Sequence, residues 1–242
     1  MSGVAVPVAA SAMVTSLLVA EMFGPTFQGE GPSCGQQAVF VRLSRCNLSC
    51  PPCDTPYTWD WSRYEAKAEA RRLPVDEVAE WVLAQQPRLV VITGGEPLLQ
   101  QRHLIPLVAL LAGHGRRVEI ETNGTVYPEP ALIRAVSAFN VSPKLARFAG
   151  TRERTLNPAA LAAFVACGKA VFKFVVAEPG EVDQVAALAH DHHLAPVWIM
   201  PEAVTADGVV AGLRVVADET LRRGWNLTGR LHLLLWGDVR GR

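Results

Sequence analysis

Three cysteines within eight residues, Cys46, Cys50 and Cys53 in the spacing Cx3Cx2C, constrain this chain more than any other feature. Packing seldom needs thiols so crowded, whereas thiolates are the usual ligands of zinc and of iron–sulfur clusters. A structural zinc site normally takes four nitrogen or sulfur ligands, and no fourth stands close to these three in the sequence. A four-iron cluster held by three thiolates leaves one iron without a protein ligand, open to a reactant. The loop therefore predicts a [4Fe-4S] cluster on Cys46, Cys50 and Cys53, with a zinc-stabilised binding module as the alternative. The rest of the chain must supply a pocket.

The balance of charge narrows what could enter that pocket. Lys plus Arg and Asp plus Glu both total 23, so the chain carries no net field of the kind that nucleic acid or an anionic membrane would exploit. A small-molecule substrate is expected instead. Five cysteines, three of them clustered, do not make a disulfide scaffold and point to a reducing cytoplasm. Cys34 and Cys167 read as small packing residues.

The first twenty residues contain no charged side chain, yet the basic start of a signal peptide is missing. Residues 16–20 run into the Gln28–Gly31 turn as a first barrel strand would. Residues 1–14 are expected to be a loose extension and 15–242 a single domain. No apolar run is long and uninterrupted enough for a membrane helix.

Strand-like runs at 89–92, 117–120, 139–141, 170–176 and 197–200 alternate with helical patterns at 76–86, 98–112, 130–138, 158–166, 182–193 and 207–223. Such alternation predicts a parallel sheet covered by helices. With about six to seven units, fewer than eightfold closure needs, the expected fold is an α/β incomplete TIM-like barrel. Residues 23–32, rich in Gly and Pro, read as a loop. Residues 65–72 read as a short helix or solvated lid, and 231–236 as one more strand.

In such folds chemistry collects where strands end. Here apolar strands run into Thr93-Gly94-Gly95-Glu96-Pro97, Glu121-Thr122-Asn123-Gly124 and Ser142-Pro143-Lys144. Gly94 and Gly95 allow close backbone approach, and Glu96 could receive an amino group. Arg42, near the far end of the strand entering the thiol loop, suits bidentate capture of a carboxylate. Lys173, set inside an apolar strand, is a further pocket candidate because burying its charge would otherwise be costly. His190, His192 and His193 fit a helix end, and His232 reads as structural.

Cx3Cx2C followed by Gly94-Gly95-Glu96-Pro97 at a strand end resembles the radical S-adenosylmethionine (SAM) superfamily. Within it, Phe27-Gln28-Gly29-Glu30-Gly31, Arg42, Cys53-Asp54-Thr55, residues 93–97, 121–124 and 142–144 resemble the 7-carboxy-7-deazaguanine synthases. That resemblance implies ring contraction of 6-carboxy-5,6,7,8-tetrahydropterin to 7-carboxy-7-deazaguanine, with loss of ammonia, in deazapurine biosynthesis of the queuosine type. It begins when the reduced cluster cleaves SAM to a 5′-deoxyadenosyl radical that takes hydrogen from the pterin, and SAM is regenerated afterwards. The resemblance also implies site roles. Phe27, Gln28, Gly29, Glu30, Arg42 and Thr93 would meet the pterin. Pro52, Cys53, Asp54, Gly94, Gly95, Glu96, Asn123, Ser142, Pro143 and Lys144 would meet SAM, and Thr55 would ligate Mg2+. A flavodoxin- or ferredoxin-type electron donor and a homodimer follow in the same way. Pro52 stands where an aromatic residue is common, and the chain ends in Arg242. Another small radical enzyme, such as a glycyl-radical activase, is the enzymatic alternative.

Overall fold

The structure, a computed structural model, describes residues 15–148 and 155–242. The expected extension at 1–14 lies outside the described residues. One sheet holds β1 (Ser16–Phe27), β2 (Gln37–Leu43), β3 (Arg71–Pro74), β4 (Leu89–Gly94), β5 (Arg117–Thr122), β6 (Ala138–Val141), β7 (Ala170–Val176), β8 (Val197–Pro201) and β9 (Asn226–Leu227). Their spatial order is β3-β1-β2-β4-β5-β6-β7-β8-β9. Every neighbouring pair from β2 onward is parallel, and the sheet does not close on itself, so the fold is an incomplete barrel. Parallel pairing brings the C-terminal ends of these strands, and the loops leaving them, to one edge.

Helices α1 (Ala66–Glu69), α2 (Val75–Leu83), α3 (Gln101–Gly113), α4 (Pro130–Ala135), α5 (Pro158–Ala166), α6 (Pro179–Asp191), α7 (Ala206–Arg222) and α8 (Leu231–Trp236) complete the fold. In α3 the spacing of Leu104, Leu107, Val108 and Leu111 makes one apolar stripe, and all four are fully buried. Helix starts carry their own signals: Asn157 accepts from the Ala159 and Ala160 amides ahead of Pro158, and Thr205 accepts from the Gly208 amide.

Strand periodicity separates the core from the site. Successive strand side chains point to opposite faces. Val39, Val41, Val90, Ile92, Val118, Ile120, Phe172 and Phe174 belong to the main apolar core. Each fully buried side chain of this size contributes about 1.5–3 kcal/mol before entropy is counted. The alternate positions Phe40, Arg42, Thr93, Glu121, Asn140, Lys173, Val175 and Met200 line the concave interior. Lys173 interrupts an apolar strand because it points the other way from Phe172 and Phe174.

Pairing near the sheet edges departs from the sequence expectation. β1 is no short barrel strand followed by a loop; it continues to Phe27, antiparallel to both β2 and β3. Gly24 and Pro25 fall inside a register shift between Phe23 and Thr26, where a strand tolerates them. Over 65–72 only Ala66–Glu69 is helical, since Arg71–Pro74 pairs with Ser16–Val19 and buries Leu73. The run Leu231–Trp236 is a helix, not a strand. It buries only Leu233 and has no β-branched residue, whereas β9, two residues long, ends the sheet.

Candidate active site

The thiol loop leaves β2 and is pinned to the turn after β4. The Gly95 amide donates to Leu43 O at 3.2 Å and the Glu96 amide to Arg45 O at 2.8 Å. A Cβ on Gly95 would lie 2.3 Å from Arg45 O and 2.8 Å from Cys46 Cβ. The glycines therefore permit the close approach of two loops to each other. None of the three thiols is in a disulfide, and all three face one cavity of about 480 Å³. Protein donors already address the sulfurs: Leu48 N to Cys46 Sγ at 3.4 Å and Trp59 Nε1 to Cys53 Sγ at 3.3 Å. Burial pushes the Cys46 thiol up to about 12 in the metal-free chain, so binding a cluster must displace its proton.

Glu96, expected to meet SAM, is engaged within the protein. It is fully buried, and its carboxylate accepts from the Leu98 amide, the Thr122 hydroxyl and the Asn123 amide at 2.7–2.9 Å. Burial raises its pKa against these hydrogen bonds. Glu96 thus clamps the end of β4 to the end of β5 and does not line the cavity; Pro143 is likewise buried outside the lining. Asn123 does line it, and its amide donates to Asn47 Oδ1 at 3.0 Å on the thiol loop. Ser142 and Lys144 face the same space, with Lys144 Nζ donating to Ser142 Oγ at 3.1 Å.

Phe27, Gln28, Gly29, Glu30, Arg42 and Thr93 all line the cavity, as do Pro52, Asp54, Thr55, Gly94 and Gly95. Phe27 stacks on Trp236 with centroids 6.1 Å apart. Gln28 Nε2 donates to Glu121 Oε1 at 3.1 Å. Arg42 Nε donates to Glu21 Oε1 at 2.7 Å, which also accepts from Tyr57 Oη at 2.6 Å, so Arg42 is held by a carboxylate of β1 while facing the cavity.

Glu30 accepts from Lys173 Nζ on one oxygen and from Arg230 Nε at 3.0 Å on the other. Burial opposes its ionisation, but the Lys173 and Arg230 charges prevail and hold its pKa well below the usual carboxylate range. The unfolded value is about 4.3, so this stabilisation is complete above about pH 5 and fades as pH falls through the folded value. The melting-temperature gap between wild type and Glu30→Gln should therefore narrow as melts are taken from about pH 5 to pH 3. A gap constant over that range would deny Glu30 this role.

Glu121, Arg230 and His232 line the cavity too. Glu121 was legible as the first residue of a strand-end motif, while Arg230 has no local signal. His232, read as structural, packs on the Gly29 backbone, where an added Cβ would fall 2.2 Å from its Nδ1. Burial lowers its pKa against the pull of Glu30, so it is neutral at pH 7.

These residues suit a thiolate-bound cluster: three unbridged cysteines on one loop, facing one cavity, with N–H donors on two of the sulfurs. Among the described residues no three His, Cys, Asp or Glu side chains form a site for a single metal ion. Comparison with known proteins agrees. The Radical SAM superfamily model matches residues 41–143. The 7-carboxy-7-deazaguanine synthase of Pyrobaculum aerophilum is 39% identical over 229 residues, covering 93% of this chain and 96% of that protein. Its counterpart in Rhodopirellula baltica is 30% identical over 244 residues, covering 96% and 91%. Among solved structures, QueE from Escherichia coli aligns with a TM-score of 0.68 and 26% identity over 90% of this chain and 95% of that one.

Proposed function

The chain belongs to the 7-carboxy-7-deazaguanine synthase family within the radical SAM superfamily, and from that membership we propose that it converts 6-carboxy-5,6,7,8-tetrahydropterin into 7-carboxy-7-deazaguanine with loss of ammonia. One observation carries the reading: a single cavity joins the three thiols to Gln28, Gly29, Glu30, Arg42 and Thr93. Family membership replaces both the activase and the zinc-module alternatives.

Superfamily membership implies a [4Fe-4S] cluster and SAM, which when bound supply one-electron chemistry that abstracts hydrogen from the substrate. Cys46, Cys50 and Cys53 would hold the cluster. Ser142, Lys144, Asn123 and the Gly94–Gly95 backbone offer polar groups to SAM on the wall beside the thiols. Gln28, Arg42, Glu30 and Thr93 offer the pterin its hydrogen-bonding edge, and the Phe27–Trp236 stack helps keep water out. His232, held neutral by burial, lines the same cavity as a hydrogen-bonding group. A reductant of flavodoxin or ferredoxin type and a homodimeric state complete the reading. No helix among the described residues is long and apolar enough to cross a membrane. Five cysteines, three of them clustered on one loop, suit the reducing cytoplasm.

Reconstituted protein supplied with reductant, SAM, Mg2+ and 6-carboxytetrahydropterin should yield the deazapurine by mass spectrometry. SAM cleavage without that product would reject the substrate assignment. Thr55 Oγ1 lies 3.7 Å from Cys53 Sγ on the cavity wall, and a hard oxygen there suits Mg2+. Thr55→Ala should raise the Mg2+ concentration needed for half-maximal activity by about tenfold or more, at unchanged iron content. Lost iron would make Thr55 a support of the thiol loop instead.

A further inference from the structure

Arg230 lies just ahead of α8, 200 positions away from Glu30 in sequence, and its side chain is only 12% exposed. Its nitrogens reach three separate segments. Nε donates to Glu30 Oε1 in the turn after β1, Nη1 donates to Ala203 O after β8 at 2.7 Å, and Nη2 donates to Asp54 Oδ2 in the thiol loop. Glu30 in turn accepts from Lys173 of β7. The chain Lys173–Glu30–Arg230–Asp54 alternates in sign and sums to zero charge, which lets it exist in a half-buried wall. Asp54 sits between Cys53 and Thr55, and its side chain is 52% exposed. It has little packing to hold it other than this contact.

We propose that Arg230 is a positioning residue that locks the Cys53–Thr55 segment of the thiol loop to the Gln28–Glu30 turn. The inference rests on the functional reading above, in which that turn meets the pterin and that segment carries a cluster ligand. Direct capture of substrate fits less well, because each guanidinium nitrogen already serves a different segment. A planar fork can span three acceptors at once, whereas a lysine ammonium at the same place is a single point. The link keeps the site of hydrogen abstraction at a fixed distance from the substrate, and small misplacements of this kind are costly to rate.

The test uses Arg230→Gln, Arg230→Lys, Asp54→Asn and the double Arg230→Gln/Asp54→Asn as reconstituted holoenzymes. Three quantities are read: iron per chain, the electron paramagnetic resonance spectrum of the reduced cluster with and without SAM, and product formed per SAM lost, the loss counted as 5′-deoxyadenosine released without regeneration. Iron should match wild type in all four. Product per SAM should fall about tenfold in each single variant and no further in the double, because both changes break one link. Arg230→Lys should not restore it. Arg230→Gln and Asp54→Asn should share one altered spectrum on adding SAM. Singles that multiply to about a hundredfold in the double, or wild-type coupling and spectrum in Asp54→Asn, overturn the proposal. So does loss of iron in Arg230→Gln, which would make the residue a prop of the fold. If wild type cleaves SAM without making the deazapurine, the substrate reading fails, and the spectra still decide the link.

Discussion

Cys53→Ser is expected to abolish product formation while leaving the fold in place. A serine hydroxyl is a poor iron ligand at neutral pH, and a cluster left with two thiolates of three loses both its hold and its defined open iron. Turnover should drop by at least about a thousandfold, since the reaction has no route around the cluster. The structural cost is small by comparison. Cys53 is half-buried at the margin of the core, and its sulfur contacts are Trp59 Nε1 and the Thr55 hydroxyl, which a serine oxygen can partly keep. Stability of the cluster-free chain should change by about 1 kcal/mol or less. Iron and sulfide analysis, product yield and a thermal melt of the unreconstituted protein separate the effects. Cys167→Ser supplies the contrast: that thiol donates to Phe164 O at the end of α5, does not line the cavity, and should retain iron and product when replaced. Full iron and normal turnover in Cys53→Ser would remove it from the ligand set.

The contrast between those two cysteines also shows what was legible before the structure. Crowded thiols and polar strand ends are local patterns, and parallel pairing guarantees that such ends share an edge, so the thiol loop, Asn123, Ser142 and Lys144 could be grouped from the sequence. Lys173 was legible through its cost, because an ammonium between Phe172 and Phe174 must find a partner on the opposite face. The partner itself was not legible. Glu30 and Arg230 lie at opposite ends of the chain, and nothing local in residues 228–232 announces that they return to the first turn, where Gly31 N meets Thr228 Oγ1 and Leu231 N meets Gly29 O. The contacts of Glu96 were illegible for a related reason. A carboxylate after Gly-Gly suggests a ligand group, and only the approach of β5 shows its oxygens taken by Leu98, Thr122 and Asn123. Edge strands escaped for lack of periodicity: Arg71–Pro74 owes its extended form to pairing with Ser16–Val19 and not to its own composition.

Gly94→Ala is expected to be the most destabilising single methyl that can be added to this chain near the site. Gly94 sits at φ +149°, a backbone conformation that L side chains rarely adopt. It also pairs in register with Leu43, the last residue of β2, and an added Cβ would fall 2.2 Å from Leu43 O and 2.7 Å from Leu43 N. Neither neighbour is a side chain that can swing aside. Relief requires β2 and β4 to part at the point where the thiol loop begins, or the turn to abandon its conformation. Backbone strain accounts for about 1–3 kcal/mol, and the lost pairing brings the total to about 3–5 kcal/mol, a large share of a typical domain's stability. Gly168→Ala is the reference: its φ is +65°, yet nothing lies within 4 Å of its added Cβ, so it should cost only about 1–2 kcal/mol. Denaturant unfolding of the cluster-free proteins measures both. The excess loss in Gly94→Ala reports the clash with Leu43 together with the less accessible φ, and iron uptake should fall in Gly94→Ala but not in Gly168→Ala. Equal losses in the two variants would mean that the approach of Gly94 to Leu43 is not what holds the thiol loop at the mouth of the barrel.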